Sequence, residues 1–403
     1  MSFRVAISGL KAASGDLAVI GNNIANSNTT AFKKSRAEFT DVYAVTNVGG
    51  SSSTPGSGVR LATISQQFGQ GNVSFTDNSL DMAINGRGFF LVDDSGTSAY
   101  TRAGAFRVDR DGFLSNSQNQ QLVAFGADAT GNITGSASPL AINTTNITPN
   151  VTTTMTLELN LDASETQPAV AFSPTDTRSY NHSTSTSIYD TLGNSHLASI
   201  YFRKTATVNQ WQAYAYVDGV AVDGPDAVNF STSGALTVPA GGSITTPAFT
   251  PTGGGAAMTL VMNYSNTTQF GSPFAVNTLS QDGYTTGRLG GLDIDAEGIV
   301  FARFTNGQSR VEGQIALADF SNVQGLQPLS DTTWGETYAS GSVVIGAPGS
   351  SSLGLLQSGA LEESNTELSE ELVKMIIAQR TFQANAEVIS TADTITQSII
   401  NLR

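Results

Sequence analysis

Few residues in this 403-residue sequence have the types and spacing that catalysis or metal binding requires. Asp109-Arg110-Asp111-Gly112 resembles the start of a calcium-binding loop, but no Glu stands at the twelfth position. Gly253-Gly254-Gly255 is not followed by the Lys-Ser or Lys-Thr of a phosphate-binding loop. Asp293 and Asp295 could serve as a glycosidase carboxylate pair, but acidic residues beside turns are usually solvated. We therefore expect a hairpin turn at 109–112 and no catalytic, cofactor-binding or metal site.

The cysteine and histidine counts narrow the chemistry further. The chain has no Cys, which excludes disulfides, thiolate catalysis and Cys-ligated zinc. Its two His are His182 and His196, too few for a His-rich metal site. A Ser-His-Asp triad would have to use one of them, and neither lies near a nucleophile-elbow motif. The sequence therefore predicts a protein that is not an enzyme and that carries no cofactor.

Composition and charge exclude two classes of partner. The net charge is −14, whereas phosphate binding needs clustered Lys and Arg, so nucleic acid is not expected as a partner. No run reaches the ~18 apolar residues that a membrane-spanning helix requires. The first residues also lack the uninterrupted apolar segment of a cleaved secretory signal. We expect either a cytoplasmic protein or one exported by a route that removes no signal.

Residues 1–26 carry a heptad pattern. Positions every seven residues, together with positions three places later, are apolar or Ala: Phe3, Leu10, Leu17 and Ile24, with Ala6, Ala13 and Ile20. This narrow stripe is typical of a helix that packs along another helix. Gly9, Gly15 and Gly21 interrupt it, at a combined cost of ~3 kcal/mol in helix propensity relative to Ala. The helix should therefore order only when its stripe is covered.

The other end of the chain carries a matching pattern. Leu368, Met375, Phe382 and Ile389 recur every seven residues; Leu372, Ile376 and Ala386 widen the stripe, and Ile395 and Ile399 extend it. Ser364 and Glu367 have the spacing of a capping box, and neither Pro nor Gly follows. The pattern predicts one helix over 364–403, roughly 60 Å long at ~1.5 Å per residue.

Charge favours association of the two ends. Residues 1–36 carry five basic groups against Asp16, and residues 361–403 carry seven acidic groups against three basic ones, giving nets of +4 and −4. Such complementarity sets partner choice more than affinity. Apolar stripes at both termini, where chains normally fray, predict helices that are buried against other subunits.

Between the ends the periodicity changes from helical to alternating. Residues 155–161 alternate as a half-buried strand, and Asn306-Gly307 lies between apolar runs as in a tight hairpin. The aromatic segments 201–202 and 211–216 alternate less cleanly, though strands are still expected. Gly-, Ser- and Thr-rich composition predicts flexible linkers at 47–58 and 346–354 and a long loop at 234–255.

Three motifs together resemble the bacterial flagellar axial proteins, the family of rod, hook and hook-associated subunits. The first is the segment at residues 21–33, with Asn22, Asn23, Asn26 and Phe32 as its motif residues. The second is Ile84-Asn85-Gly86-Arg87-Gly88-Phe89-Phe90 with Tyr100-Thr101-Arg102-Ala103-Gly104. The third lies at residues 368–386, on the C-terminal helix. Residues 188–204, together with 283–298 and 313–322, most resemble the hook members of that family.

The resemblance implies a fold. It predicts an α+β multi-domain protein whose N- and C-terminal helices form a coiled-coil stem, with two mainly antiparallel β domains, the outer inserted into the inner. The predicted bounds are 1–26 with 364–403 for the helical domain, 27–70 with 345–363 for connecting segments, 71–146 with 283–344 for the inner β domain, and 147–282 for the outer one.

The resemblance also implies a function. It predicts a helical homopolymer, a tubular universal joint that passes torque from rod to filament, located extracellularly at the hook. The implied partners are other copies of the chain, the distal rod protein, the hook cap, the hook-filament junction protein and the flagellar type III export apparatus. Some hook proteins crosslink through a Cys, which this chain lacks. The alternatives are a distal rod subunit of the same family and a secreted β-rich adhesin.

Overall fold

The computed structural model describes residues 2–42, 56–128 and 130–401. The chain divides into two compact units. Unit 1 comprises Met1–Thr144, Gly291–Arg303 and Ser309–Arg403, and unit 2 comprises Thr145–Gly290 and Phe304–Gln308. Helices α1 (Ser2–Ala25) and α2 (Leu368–Asn401) stand at the two ends of the described chain, and the elements between them are mainly antiparallel strands. The predicted α+β class is confirmed at this level.

Unit 1 is built from strands on both sides of unit 2 in the sequence. Before unit 2 these are β1 (Ser35–Asp41), β2 (Val59–Gln66), β3 (Val73–Phe75), β4 (Met82–Asn85), β5 (Phe89–Asp94), β6 (Thr97–Thr101), β7 (Arg107–Val108), β8 (Leu114–Ser115), β9 (Gln121–Ala127) and β10 (Ile133–Pro139). In unit 2 they are β11 (Thr154–Asp162), β12 (His182–Tyr189), β13 (Ser195–Lys204), β14 (Gln210–Val217), β15 (Val220–Phe230), β16 (Leu236–Val238), β17 (Ser243–Thr245), β18 (Val261–Asn263), β19 (Thr268–Phe270) and β20 (Ala275–Gln281). After it come β21 (Leu289–Ile294), β22 (Ile299–Phe304), β23 (Ser309–Ile315), β24 (Leu317–Asp319), β25 (Gln327–Pro328), β26 (Thr333–Gly335), β27 (Val344–Gly346), β28 (Leu355–Ser358) and β29 (Ala360–Glu362).

The main sheet of unit 1 joins strands that are far apart in sequence. Its central path runs β21-β22-β23-β9-β5-β6-β26-β25, so β9 and β5 lie between strands that follow unit 2. Two short pairs, β28 with β4 and β29 with β3, tie the segment before α2 to the early strands. The hairpin β1–β2 is a separate two-stranded sheet that also contacts α1, where Val59 donates its backbone N–H to Ser8 Oγ at 3.2 Å.

An aromatic cluster forms one core of unit 1. Phe89, Tyr100, Phe320 and Trp334 are buried together. The rings of Tyr100 and Phe320 meet edge to face, with centroids 4.7 Å apart, the geometry that ring quadrupoles favour. Both predicted hairpins are present: Asp111-Gly112 lies between β7 and β8 in unit 1, and Asn306-Gly307 lies between β22 and β23, in the short segment Phe304–Gln308 that belongs to unit 2.

Unit 2 contains two five-stranded sheets among its described residues. One has the order β12-β13-β14-β15-β16. In the other, β11 pairs with β18, β19 and β20, and β17 pairs with β18. The apolar faces of the two sheets contribute to one buried core. It contains Leu157 and Leu159 of β11, Phe202 of β13 and Trp211 of β14. The predicted strand at 155–161 is confirmed within β11.

The strands expected at 201–202 and 211–216 are confirmed as parts of β13 and β14, and the burial of their side chains alternates strictly although their hydrophobicity does not. Phe202 and Trp211 face the core, whereas Tyr201 and Tyr214 lie on the other face, where Phe172 stacks on Tyr214 at 3.7 Å between ring centroids. Aromatic side chains occupy both faces of this sheet, so hydrophobicity alone did not reveal the period.

The C-terminal helix begins four residues later than predicted. Ser364 Oγ accepts a hydrogen bond from the N–H of Thr366 at 3.2 Å, so it caps a local turn rather than the helix. Asn365 is held by the opposite end of the chain, since its Oδ1 accepts the N–H of Lys34 at 2.8 Å. These contacts hold 364–365 outside the helix, and α2 spans 34 residues, ~50 Å at the α-helical rise.

Two of the flexible segments predicted from composition are ordered. The segment 346–354 is a packed turn in which Leu353 is buried and Gly354 donates its N–H to the carbonyl of Arg87 at 2.8 Å. The predicted loop at 234–255 contains β16 and β17 and begins a bridge between Phe249 and Met258. Gly- and Ser-rich composition indicates that the backbone is flexible in the unfolded chain. In the folded protein these segments are ordered by contacts with residues that are distant in sequence. Most of the predicted linker at 47–58 lies outside the described residues.

Candidate assembly site on the terminal helices

Helices α1 and α2 pack against each other in antiparallel directions. Near the end of α1, Asn23 Nδ2 donates to Glu371 Oε2 at 3.1 Å, close to the start of α2. Fourteen residues earlier, Gly9 lies against Asn385, and a Cβ on Gly9 would come within 2.5 Å of Asn385 Oδ1. Asn385 Nδ2 also donates to the carbonyl of Thr381 at 2.8 Å. Gly9 therefore allows a close approach of the helices, a role that its helix propensity does not indicate.

The face between the two helices is made mainly of small and polar residues, with buried Val19 and Ile20 as its larger apolar members. Gly9, Ala13 and Asp16 of α1 line one cavity of about 400 Å³ with Ala378 and Thr381 of α2. Asp16, Ile20 and Asn23 line a second cavity with Glu371 and Lys374. Ala13, Ile20, Asn23, Glu371 and Ala378 are buried. The intrachain pair thus uses little of the large apolar surface that the heptads contain.

The predicted stripe residues fall into three groups. Ile20 is buried, and Leu10, Leu17, Ile24, Met375, Phe382 and Ile389 are half-buried. Phe3, Leu368 and Leu372 are exposed, at 49%, 48% and 45%. The side chain of Ile399 lies outside the described residues. Exposed apolar side chains are also present at Val373, Ile376, Ile377, Val388 and Ile395 of α2.

Asn23 and Glu371 anchor a polar network at one end of the helix pair. The Asn23 side chain accepts the N–H of Ser35 at 2.9 Å and donates to its carbonyl at 2.8 Å, besides donating to Glu371. Glu371, only 1% exposed, also accepts Lys374 Nζ at 2.9 Å. Burial raises the pKa of Asp16, the Glu371 charge raises it further, and Lys374 opposes both. The network thus holds two carboxylates of α1 and α2 near one ammonium.

The other motif residues of the N-terminal segment organise its exit from α1. Asn22 is exposed. Asn26 Nδ2 donates to the carbonyl of Asn22 at 2.9 Å, and Asn26 Oδ1 accepts Thr29 Oγ1 at 3.2 Å. Phe32 is half-buried, and its carbonyl accepts the N–H of Asn365 at 3.3 Å. The motif therefore forms the turn that brings the chain back beside the start of α2.

A buried ionic cluster joins three parts of unit 1. Two of them carry family motifs, at residues 21–33 and 84–104, and the third precedes the motif on α2. Lys33 Nζ lies 2.5 Å from Glu362 Oε1, and Arg102 Nη1 lies 3.3 Å from Glu362 Oε2. Lys33 is 1% exposed, Glu362 0% and Arg102 4%. We call Lys33, Arg102 and Glu362 the ionic hub. Sequence reasoning missed it, although Lys33 and Arg102 both stand within motifs that were singled out.

Backbone groups complete the hub. Lys33 Nζ donates to the carbonyl of Gly69 at 2.8 Å, and Glu362 Oε1 accepts the N–H of Gly71 at 2.9 Å. Arg102 donates from Nε to the carbonyl of Gly88 at 2.9 Å and from Nη2 to that of Gly86. Burial lowers the pKa of Lys33 and of Arg102, and the Glu362 charge opposes both shifts. The hub therefore satisfies its charges with partners from five chain segments.

Charge complementarity between the chain ends has a surface component too. Lys34 Nζ lies 3.2 Å from Glu370 Oε2, and Lys374 lies 2.9 Å from Glu370 Oε1. Such exposed pairs contribute ~0–1 kcal/mol each. Of these pairs, Lys34–Glu370 joins the two ends of the chain, as the buried Lys33–Glu362 pair does, whereas Lys374–Glu370 lies within α2.

The acidic residues considered for calcium binding or catalysis make contacts that stabilise the fold. Asp109 Oδ1 accepts the N–H groups of Asp111 and Phe113, each at 2.9 Å, which caps the hairpin turn. Asp293 pairs with Arg303 Nε at 3.0 Å. Among the described residues, no cluster of His, Asp and Glu has the arrangement of a metal site. No helix within the described ranges has the length and apolar character to cross a membrane.

His196 in unit 2 is enclosed by two carboxylates. Its Nδ1 lies 2.7 Å from Asp218 Oδ2, and its Nε2 lies 3.4 Å from Asp190 Oδ2. His196 is 4% exposed and Asp190 is fully buried. Burial lowers the pKa of His196, but the hydrogen bonds and charges of Asp218 and Asp190 outweigh it and raise the pKa overall. Asp190 and Asp218 also accept backbone N–H groups of neighbouring turns, so the contacts of His196 serve to hold these turns together.

Four family descriptions match the chain. They are the flagella basal body rod protein at residues 3–33, the flagellar hook protein FlgE/F/G D1 domain at 83–157, the flagellar basal body protein FlaE D2 domain at 160–284 and the flagellar basal body rod FlgEFG protein C-terminal at 357–402.

Full-length relatives give the same result. The chain is 39% identical to the flagellar hook protein FlgE of Salmonella typhimurium over 415 residues, covering 100% of both chains. It is 38% identical to that of Escherichia coli over 428 residues, again covering 100% of both. The hook protein of Treponema pallidum is 32% identical over 460 residues, with 98% of each chain covered.

A solved structure shares the fold. The crystal structure of the Helicobacter pylori flagellar hook protein FlgE2 matches with a TM-score of 0.54 at 15% identity, covering 72% of this chain and 100% of that one. At this identity the likeness concerns the fold alone.

Together, the matches define a structural protein of the flagellar rod and hook class, not an enzyme. Within that class, the chain belongs to the flagellar hook protein FlgE family. It is a structural subunit of the bacterial flagellar hook, as the sequence predicted, and the interpretations as a distal rod subunit or a secreted adhesin are set aside.

Proposed function

We propose that the chain polymerises through its terminal helices into a helical tube that serves as a flexible universal joint between rod and filament. The observation that carries this proposal is the row of large apolar side chains that α2 leaves exposed. Leu368, Leu372, Val373, Ile376 and Ile377 are 45–59% exposed within two and a half turns. A continuous apolar stripe on a long helix is a typical interaction surface.

The energetics favour coverage by other copies of the chain. Fully burying a Leu or Ile side chain contributes ~1.5–3 kcal/mol, so five or six such residues per subunit supply enough free energy for a stable contact. Helical polymers of identical subunits use heterologous contacts, in which one surface meets a different surface of the next copy. The polymerisation residues remain those predicted from the heptads: Phe3, Leu10, Leu17, Ile20, Ile24, Leu368, Leu372, Met375, Phe382, Ile389 and Ile399.

The finer architecture belongs to the same proposal. The helices would form a coiled-coil stem of 1–26 with 364–403, joined by 27–70 and 345–363 to an inner β domain of 71–146 with 283–344. The outer β domain of 147–282 would be inserted into it. The antiparallel contact of α1 with α2 and the position of unit 2 within the sequence of unit 1 support this arrangement.

Partners and location follow from the hook role. The subunit would be exported by the flagellar type III apparatus without cleavage of a signal, assemble under a hook cap outside the cell, and contact the distal rod protein and the hook-filament junction protein. Nucleic acid is not expected as a partner, given the net charge of −14.

The experiment places charge on the exposed stripe. Leu372→Asp with Ile376→Asp puts two carboxylates one helical turn apart on the same face of α2. Because both side chains are exposed in the subunit, the thermal midpoint of the monomer should stay unchanged, while tube formation by the concentrated full-length chain is lost. Electron microscopy measures the tubes and circular dichroism the midpoint.

The matched control is Gln379→Asp with Gln383→Asp, two exposed polar residues of α2 with the same spacing. It adds the same charge but removes no apolar surface, so tubes should form. Normal tubes from the Leu372/Ile376 variant would disprove polymerisation through this stripe.

A further inference from the structure

Three residues of α1 that are spaced by seven face three residues of α2 that are also spaced by seven. Gly9, Asp16 and Asn23 lie on α1, and Asn385, Ala378 and Glu371 lie on α2. Gly9 contacts Asn385, Asp16 shares a cavity wall with Ala378, and Asn23 donates to Glu371. In an antiparallel pair, partners have residue numbers with a constant sum, and each of these three pairs sums to 394.

The pairs are complementary in size or in charge. The Asn385 side chain meets Gly9, which has no side chain and therefore leaves room for it. Asp16 faces the small Ala378, which leaves room around its carboxylate. Asn23 supplies an amide N–H to Glu371, which is nearly fully buried. Each polar group therefore meets either a small residue or a group of opposite hydrogen-bonding character.

Slipping α1 along α2 by one heptad, ~10.5 Å at the helical rise, breaks this complementarity. In one direction Asp16 would face Glu371, so two carboxylates would meet in a buried seam. In the other direction Asn23 would face Ala378, and buried Glu371 would lose its amide partner. Leaving a buried charged group without its hydrogen-bond partner is costly. The remaining small residues give little preference, since Ala and Gly contacts are similar in every register.

We propose that Gly9–Asn385, Asp16–Ala378 and Asn23–Glu371 are the register key of the helix pair, which selects one alignment of α1 with α2 as the chain assembles. Polar residues in a helix seam are known to specify register at some cost in stability. The key rests on the proposed function in one respect: the register decides which exposed apolar residues of the two helices lie side by side for neighbouring copies.

The experiment exchanges the amide and the carboxylate of the Asn23–Glu371 pair. Asn23→Asp places a second carboxylate against Glu371, and Asn23→Asp with Glu371→Gln restores an amide–carboxylate pair in the reverse sense. Both variants lose the donation from residue 23 to the Ser35 carbonyl, so comparing them isolates the contact with residue 371. Asn22→Asp is the matched control, since Asn22 is the exposed neighbour of Asn23 and gains the same charge.

Register is measured by thiol crosslinking, which is clean because the chain has no Cys. Ala13→Cys with Thr381→Cys reports the observed register, because the two residues line one cavity and their numbers also sum to 394. Ala13→Cys with Val388→Cys or with Lys374→Cys reports slips of one heptad in either direction. Full-length chains in polymers are treated with a short bifunctional thiol reagent, and products of monomer mass count as intrachain.

We expect the ratio of in-register to slipped crosslinking to fall about tenfold in Asn23→Asp, the change that a lost charged hydrogen bond of ~1.4 kcal/mol corresponds to. It should recover in Asn23→Asp/Glu371→Gln and stay unchanged in Asn22→Asp. If Asn23→Asp alone yields no polymer, recovery of polymer in the double variant supports the key, and failure to recover overturns it.

The outcomes separate this inference from the proposed function. Failure of the unsubstituted chain to form tubes would overturn the proposed function. Tubes in which Asn23→Asp keeps the original crosslinking ratio would overturn the register key alone.

Discussion

His196 carries a charge that depends on pH in the range where most side chains do not titrate. Its imidazole lies between Asp218 and Asp190, and each carboxylate favours the protonated ring. Asp218 also accepts the N–H of Leu197 at 3.0 Å, and Asp190 accepts that of Asn194 at 2.8 Å. Protonated His196 therefore joins two turns of unit 2 by electrostatic attraction.

The sign of the pH effect follows from the raised pKa. A histidine whose pKa in the folded protein lies above the ordinary value near 6.5 contributes stability that is fully present below that value. The contribution is lost as pH rises through the raised pKa. We expect unit 2 of the Trp334→Phe variant, monitored by fluorescence of the remaining Trp211, to lose thermal stability on going from pH 6 to pH 9, and His196→Gln to remove that loss.

The second histidine provides the control. His182 stacks on Phe274 at 4.3 Å between ring centroids, and burial lowers its pKa against the opposing charges of Glu165 and Asp162. In protein labelled at His, NMR should give two imidazole titrations with midpoints on opposite sides of 6.5, assigned with His182→Gln. A midpoint of His196 below 6.5 would contradict the assignment of its charge.

At the scale of secondary-structure elements, the ionic hub connects three segments whose positions determine where the helices begin and end. Lys33 follows the turn after α1, Glu362 ends β29 shortly before α2, and Arg102 follows β6. A buried ion pair gains little over apolar residues of the same shape, but removing one partner leaves an uncompensated buried charge. The hub is therefore sensitive to any single substitution.

Glu362→Gln should destabilise unit 1 by about 3–5 kcal/mol, because Lys33 and Arg102 would then lie buried without a counter-charge. Denaturant unfolding of the Trp211→Phe variant measures this, since the remaining Trp334 lies in the core of unit 1. Glu363→Gln is the matched control, as the neighbouring residue is exposed, and we expect a change within ~0.5 kcal/mol. Equal effects of the two substitutions would show that the hub carries no such charge dependence.

For the whole molecule, we expect the order of α1 to depend on assembly. Apart from Val19 and Ile20, its face toward α2 consists of small and polar residues, and its three glycines cost ~3 kcal/mol in helix propensity. Many large apolar side chains on both helices are exposed in the single subunit. The subunit in dilute solution is thus expected to have ordered β units and a poorly ordered α1.

Hydrogen exchange of the full-length chain tests this expectation. In dilute monomer, amides of residues 3–24 should exchange rapidly, while those of β11 are protected by the core of unit 2. In polymers both regions should be protected. Strong protection across 3–24 in dilute monomer would show that the intrachain pair alone stabilises α1.

Features that depend on local pattern could be predicted from the amino-acid sequence. Heptad spacing predicted both terminal helices, alternation predicted β11, and Asn-Gly and Asp-Gly predicted two hairpins, because periodicity and turn preference act over a few neighbouring residues. The motifs at the two ends and around Arg102 were sufficient to indicate the flagellar axial family. Local pattern also identified the large apolar residues that the proposal assigns to assembly.

Features that depend on contacts between residues distant in the chain became visible only in the folded protein. Composition predicted a flexible linker at 346–354 and a long loop at 234–255, but long-range hydrogen bonds and strand pairs order both segments. The start of α2 moved to Leu368 because Asn365 is held by Lys34, 331 residues away. The ionic hub and the register of α1 on α2 were not visible in the sequence, since a charge becomes a buried partner only when folding brings its counter-charge within reach and removes water.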